Sequence, residues 1–370
     1  MKTPRNKILF IVQLPPPVHG ASIMNENLVK STVLNAYDTS VLNIVTAHHI
    51  SSIGKFSLKK TFASILIFFK ILGRLIFFRP QIVYFTLSPS GFAFYRDVAY
   101  IFLIKLFMPK LVFQLHGKGI QSGVTNSKVF RYLANKAFSN SYSIHMSELL
   151  VKDLDGISVK KKFIVPFGIP VIPESGNEKK GNIGMRFLFL SNYVKTKGIL
   201  DLIDAFKIVA KKNREFHLDL VGKPYDVSEE ELKECIRKNN LEELISVCGP
   251  KYNEEKYQAL LNADVFVFPT YYFNEAFPIA LLEAMQFGLP SITTKEGGIP
   301  DMIEDGFTGL LVDKRDVTAL ANRILLLLEN SGNARSMGKN ARSQFLKKYT
   351  LHVFEQNIAK TFEEIINDKK

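Results

Sequence analysis

The hydrophobic positions of this chain fall into short continuous runs, and stretches of helical periodicity separate them. In the first half the runs are 7–14, 41–46, 81–86, 110–115, 142–146 and 162–166. Helices are predicted near 21–35, 58–78, 91–107, 126–138 and 147–154. Strands that are apolar on both faces belong in parallel sheets covered by helices on both sides. Residues 171–184 interrupt the pattern with linker composition. The alternation then restarts, with strands near 186–191, 216–221, 244–248, 264–268, 290–294 and 309–312, and a last helix is predicted over 351–367. The pattern predicts an α/β chain of two doubly wound parallel-sheet domains, 1–175 and 176–350, with a cleft between them. The segment 351–370 is left over to pack back on the first domain. Ligands of such sheets sit beyond the carboxyl ends of the strands, so the strand exits are where chemistry is expected.

Composition narrows the function classes. At 370 residues and 46% hydrophobic, the chain is long for one core, which supports two domains. Cys235 and Cys248 fall on a predicted helix and a predicted strand, and two buried reduced thiols are expected there. The apolar start Ile8–Val12 is cut short by Gln13 and three prolines with no cleavage site, so it reads as a first strand. The longest uncharged apolar run, Thr61–Phe69, is too short to cross a bilayer. A cytoplasmic protein, peripheral at the inner face of the membrane, is expected. Residues 1–175 hold 21 Lys and Arg against 7 Asp and Glu, an excess of 14, whereas the rest holds 27 against 28. The first half therefore meets an acidic partner, such as a membrane surface or a diphosphate lipid. Nucleic acid is not expected, because no zinc pattern, helix-turn-helix phrase or aromatic RNA-binding strand accompanies the charge.

Three strand exits carry suggestive groups. After the first strand, Pro15–Ser22 lacks Gly-x-Gly-x-x-Gly, which argues against a nicotinamide dinucleotide site. Gly20 and Ala21 open a helix there, where backbone can approach a diphosphate or sugar, although a purely structural turn fits equally well. The fourth strand ends in His116-Gly117-Lys118-Gly119. A His fixed at that exit is suited to hydrogen-bond a sugar hydroxyl or steer a leaving group. The first strand of the second domain runs into Ser191–Gly198, where Lys197 opens a helix and can set its ammonium on a departing diphosphate.

Glu275 and Glu283 stand eight positions apart around a helix start. Pro278 suits the first helical position, which makes Phe277 the cap, and Phe has no oxygen for the first free N–H groups. An open helix start of this kind is a seat for phosphate. Helical side chains lean toward the N-terminus, so Glu283 is expected to tilt into the same pocket and accept from a ribose diol.

Together these phrases resemble the retaining, nucleotide-sugar-dependent glycosyltransferases of GT-B architecture with a Glu-x7-Glu signature (the family 4-like group). The carriers include Lys197-Gly198, Val221-Gly222, Cys248-Gly249-Pro250, Phe268-Pro269-Thr270, Glu275 to Glu283, Gly288-Leu289-Pro290, Gly297-Gly298-Ile299-Pro300 and Asp305–Gly309. The resemblance implies that Glu275 contacts the donor sugar, Phe277 and Ile279 hold the diphosphate by backbone, and Glu283 takes the ribose hydroxyls. Lys197 stabilises the leaving phosphate, while His116 and the Gly20 loop line the donor and acceptor side. Contacts to the base would come from backbone near Val221-Gly222 and Gly249–Tyr252. It also implies front-face attack with no protein nucleophile, no metal and no cofactor beyond the nucleotide-sugar donor. Where the family often carries Arg, this chain has Asn192, so one cation on the diphosphate is missing. Lys195 replaces it in part, a single cation suffices, or catalysis is weak or absent.

The acceptor is expected to be a glycan, polyprenyl-diphosphate-linked, in bacterial surface polysaccharide synthesis. Supporting this is the stretch 54–80, where Lys and Arg punctuate an apolar helix suited to an anionic leaflet, the alternative being a core helix packed on the sheet with its Lys and Arg reaching out to water. The stretch 96–110 looks similar but is expected to be core. A non-turnover partner and a sugar-nucleotide epimerase on the same scaffold are the alternatives.

Overall fold

The computed structural model describes residues 5–45, 58–172 and 184–368, with only the backbone of Lys60. The expected linker falls mostly outside these residues, as do Lys55, His48 and His49. The chain divides into two compact units, Met1–Gly168 with Leu351–Lys370, and Ile169–Thr350.

Unit 1 holds β1 (Lys7–Val12), β2 (Asp38–Asn43), β3 (Ile82–Thr86), β4 (Lys110–Gln114), β5 (Tyr142–His145) and β6 (Lys161–Ile164), all parallel in the order β2-β1-β3-β4-β5-β6. Side chains of a strand alternate between faces. Leu9, Ile11, Val83, Phe85, Leu111 and Phe113 pack with α2 (Leu58–Gly73), α3 (Gly91–Leu106) and α5 (Lys128–Phe138). On the other face, Phe362 of α13 (Leu351–Asn367) meets the rings of Phe10, Tyr37 and Tyr84. The buried residues Phe354, Ile358, Phe362 and Ile365 of α13 recur at helical spacing. Lys110 Nζ donates to the carbonyls of Ile365, Ile366 and Asp368, closing the helix's negative end.

Unit 2 repeats the plan with β7 (Met185–Leu190), β8 (Phe216–Val221), β9 (Ile245–Gly249), β10 (Val265–Phe268), β11 (Ser291–Thr294) and β12 (Gly309–Val312), ordered β12-β11-β10-β7-β8-β9. Both units are Rossmann-like parallel-sheet α/β folds.

The differences from expectation are local. The second strand begins at Asp38, not 41, because Asp38–Asn43 pairs in register with β1 despite its polar start. The first helix, α1, spans Gly20–Val29 and gives way to a 3-10 turn at Thr32–Ala36, where Ser31 accepts from Val33 N. The helix expected over 147–154 is a 3-10 turn at Leu149–Leu154. An unforeseen α4 (Ile120–Asn126) follows Gly119. Its start is tied by Asp153, whose carboxylate accepts from the N–H groups of Gly119, Ile120 and Gln121 at 3.0–3.2 Å.

Candidate active site

In unit 2 the chain leaves β7 toward one side of the sheet and β10 toward the other, so a crevice opens at their carboxyl ends. The loops 191–198 and 269–278 meet there. Gly198 stands at φ +79°, and a Cβ on it would lie 2.2 Å from the Pro269 carbonyl oxygen. Tyr271 N donates to Thr196 O at 2.8 Å, which joins the two loops. This brings Lys197 and Glu275, 78 positions apart in sequence, into an ion pair. Thr270 Oγ1 donates to the same Glu275 oxygen at 3.3 Å. The Lys197 ammonium also lies 4.7 Å from the Tyr272 ring centre and 5.4 Å from that of Phe268. Glu275 is 8% exposed, so this is a shielded pair with aromatic walls. Gly297, at φ +56°, lets the next turn pass under it: a Cβ there would meet Glu275 O at 2.1 Å.

Helix α9 (Ile279–Gln286) begins one residue later than expected. Pro278 is its cap, at ψ 121°, and Phe277 lies before it, buried with its ring 5.9 Å from that of Tyr349. The proline's extended ψ delays the first helical turn, but the consequence is the one anticipated: no side chain caps the N–H groups that start α9. Ile279, half-buried, is the first helical residue. Glu283 does not stand open. Its Oε1 accepts from Lys256 Nζ at 2.5 Å, on α8 (Asn253–Asn262). Lys256 and Thr270 were not singled out from sequence. Thr270 belongs to the Phe268-Pro269-Thr270 phrase, a signal that was present, whereas nothing local marks Lys256.

Asn192 is exposed, and its carbonyl accepts from Val194 N at 2.8 Å. Lys195 does not take the place of a second cation beside Lys197. Its Nζ lies 4.0 Å from Glu231 of α7 (Glu229–Lys238), and its backbone N donates to Asp226. Cys235 and Cys248 are free thiols, half-buried where burial was expected, and burial pushes the Cys248 thiol up to about 11. Among the described residues, no group of three or more His, Cys, Asp or Glu side chains is placed to hold a metal ion.

Unit 1 brings His116 and the Gly20 loop together through Asn25, a residue that sequence patterning did not single out. Gly20 opens α1, capped by the His19 ring, which accepts from Ser22 N while Ser22 Oγ accepts from His19 N. Asn25 Nδ2 donates to Gln13 O at 3.0 Å, which leaves Oδ1 as the acceptor for Thr86 Oγ1 at 3.2 Å and His116 Nε2 at 3.1 Å. His116 therefore carries its proton on Nε2. Its ring stacks on Phe167 at 5.1 Å, and Nδ1 is a buried acceptor without a partner among the described residues. Burial, with repulsion from His19, lowers the His116 pKa to about 3, so the ring is neutral. It is a hydrogen-bonding group and not a base for pH 7. The helix start beside it is spent on Asp153, so the His116–Gly119 glycines do not form an anion site.

The fold places the chain in a structural class: its two Rossmann-like parallel-sheet units match solved GT-B glycosyltransferase structures. A glycosyltransferase from Rickettsia africae ESF-5 superposes with a TM-score of 0.78 at 17% identity, covering 99% of this chain and 100% of that one. HepE from Anabaena, solved with UDP, gives 0.73 at 18% identity over 97% of this chain and 100% of that one. Residues 174–344 match the family model "Glycosyl transferases group 1". Among curated relatives, the amylovoran biosynthesis glycosyltransferase AmsK of Erwinia amylovora is 29% identical over 49% of this chain and 45% of its own. The capsular polysaccharide glycosyltransferase CapM of Staphylococcus aureus is 27% identical over 49% and 47%. An uncharacterised glycosyltransferase of Methanocaldococcus jannaschii is 27% identical over 97% and 98%. The chain thus spans about half the length of the named polysaccharide enzymes it matches.

Proposed function

We propose that the protein transfers a sugar from a nucleoside-diphosphate sugar to a glycan acceptor with retention at the anomeric carbon, in polysaccharide synthesis. The observation that carries this reading is the shielded Lys197–Glu275 pair at the crevice of unit 2, beside the open start of α9. A diphosphate seated on that helix start competes with Glu275 for the Lys197 ammonium. As the bond from the anomeric carbon to phosphate breaks, charge grows on the leaving oxygen, where Lys197 and the backbone N–H groups near Phe277 and Ile279 stabilise it. The acceptor oxygen bonds to the same face of the sugar, and its proton passes to the departing phosphate. Glu275, held by Thr270, positions the sugar ring at the reaction centre. Glu283 takes ribose hydroxyls, with Lys256 holding its carboxylate in place. Neutral His116, its ring fixed by Asn25, lines the acceptor side of unit 1. Asn192 adds no charge, so Lys197 is the cation this mechanism depends on. No resident metal or cofactor is needed for these steps.

AmsK is named for amylovoran biosynthesis and CapM for capsular polysaccharide biosynthesis, and HepE was solved with UDP. These support a polysaccharide acceptor and a uridine nucleotide as the first donor to test. That the acceptor is lipid-linked at the inner membrane face is our reading of the basic, apolar stretch of unit 1. Thermal-shift screening with uridine, guanosine and adenosine diphosphates, followed by transfer assays with their sugars, tests the proposal. Stabilisation by one base with turnover of its sugar supports it. Binding without turnover across the panel identifies a non-catalytic partner instead.

A further inference from the structure

Helix α2 buries one stripe and exposes another, and both are apolar. Ile67 and Ile71, with Leu75 just beyond, sit in the core of unit 1, at 6%, 0% and 2% exposure. The outer stripe of Leu58, Phe62, Ile65 and Phe69 continues to Phe77 on the π-helical turn Arg74–Phe78, and Phe77 is 86% exposed. Helix α3 was expected to be core, yet it repeats the arrangement. Phe92, Tyr95, Phe102 and Leu106 are exposed at helical spacing while Phe94, Val98 and Ile101 face the sheet. The helices are neighbours, since Tyr100 OH donates to Ser64 O at 2.8 Å and Ile76, Arg79 and Phe107 line one groove. Contiguous exposed apolar side chains rimmed by charge mark an interaction site.

Charge selects the partner. From residue 39 to 147 the sequence holds thirteen Lys and Arg and one acid, Asp97. That acid is fully buried and bonded to Arg96, so it contributes little to the outer surface. Lys59, Lys70, Arg74 and Arg79 are exposed along the apolar stripe. A groove of about 450 Å³ sets Lys70 and Arg74 against Leu42, Gly73, Phe77 and Phe78, an apolar wall with two cations. An anionic lipid leaflet presents the matching sequence, phosphates above and acyl chains below.

Orientation follows from the buried stripe. The window Thr61–Phe78 is long and apolar enough to cross a bilayer by length and composition, contrary to the sequence-based exclusion, and 17% of it is buried. Pulling it through a membrane would strip Ile67, Ile71 and Leu75 from the core, so the helix fits a position along the surface. We propose that the α2–α3 face of unit 1 seats on an anionic phospholipid leaflet, with α2 in the headgroup plane. Phe69, Phe77 and Leu106 reach the acyl boundary, and Lys70 and Arg74 lie on lipid phosphate. This deepens the proposed lipid-linked acceptor but rests on it only for what the seated enzyme would act upon.

The test is co-sedimentation of the full chain with phosphatidylcholine vesicles, with and without phosphatidylglycerol, at low and high salt. The wild type binds the anionic vesicles, and salt weakens the binding. Phe77→Ser with Leu106→Ser lowers partitioning about tenfold. Lys70→Gln with Arg74→Gln removes most of the phosphatidylglycerol dependence, and the melting temperature stays unchanged in both. Wild-type binding that neither variant reduces overturns this seat while leaving the lipid-linked acceptor standing. No vesicle binding at all overturns the seat, and the acceptor is then decided by the transfer assay alone. A dimer that Phe77→Ser with Leu106→Ser converts to monomer, with no vesicle binding, shows that a second copy covers the face and also overturns the proposal.

Discussion

Replacing Lys197 by Ala removes the one cation placed on the proposed leaving diphosphate, and its cost can be sized from the site. A charge-assisted hydrogen bond contributes about 1.5–3 kcal/mol. Lys197's side chain is 18% exposed and walled by Tyr272 and Phe268, so water replaces it poorly and the upper half of that range applies. Each 1.36 kcal/mol is about tenfold in rate, giving a loss of about a hundredfold in kcat. The neighbouring Lys195 does not rescue it, being turned to Glu231. A second effect runs alongside, because the substitution leaves the shielded Glu275 carboxylate without its cation and costs about 2–3 kcal/mol of stability in unit 2. Glu275→Gln separates the two, since it keeps shape and the Thr270 contact while removing charge. It should lose about a hundredfold in turnover with a smaller change in melting temperature. The assay is release of the nucleoside diphosphate under saturating donor and acceptor, with calorimetry on the same samples. Near-wild-type kcat in both folded variants would refute the placement of the reaction centre.

Glu283→Ala should raise the donor KM about tenfold with little change in kcat, because a ribose contact acts equally in ground and transition states; Michaelis profiles at varied donor check this. Gly198→Ala forces a side chain into a left-handed conformation and against the Pro269 carbonyl, costing about 3 kcal/mol and moving Lys197, so both melting temperature and turnover should fall. His116, with a folded pKa of about 3 against 6.5 unfolded, stabilises unit 1 fully above pH 6.5, and that stability is lost as pH falls toward 3, because the unfolded chain takes up a proton the native ring refuses. His116→Gln should flatten the denaturation midpoint against pH across this window by close to one proton, and its activity profile should gain no new limb between pH 6 and 8.

Much of the fold was legible because parallel strands buried on both faces leave continuous apolar runs. Among the described residues, all twelve strands could be located this way, within about three residues. What escaped was decided at long range. Helix α4 depends on Asp153, more than 30 positions away, to satisfy its first N–H groups. The start of β2 follows from pairing with β1 and not from its own polar residues. The outward face of α3 was misjudged because apolar content alone cannot say which side of a helix the sheet covers. At the site, Lys197, Glu275 and the open start of α9 were readable from local phrases, glycines and a proline. Their direct pairing was not, nor was the capture of Glu283 by Lys256, since the partners stand 78 and 27 positions apart. Asn25 reads locally as an ordinary helix residue. Only the fold shows it joining Gln13, Thr86 and His116.

The central claim is that the Lys197 loop and the start of α9 grip a nucleotide's diphosphate. Crystals soaked with uridine, guanosine or adenosine diphosphate test it most directly. The account predicts diphosphate oxygens within hydrogen-bond reach of Lys197 Nζ and of the first N–H groups of α9, with the ribose against Glu283. A nucleotide bound elsewhere on the chain, with those groups untouched, would contradict it.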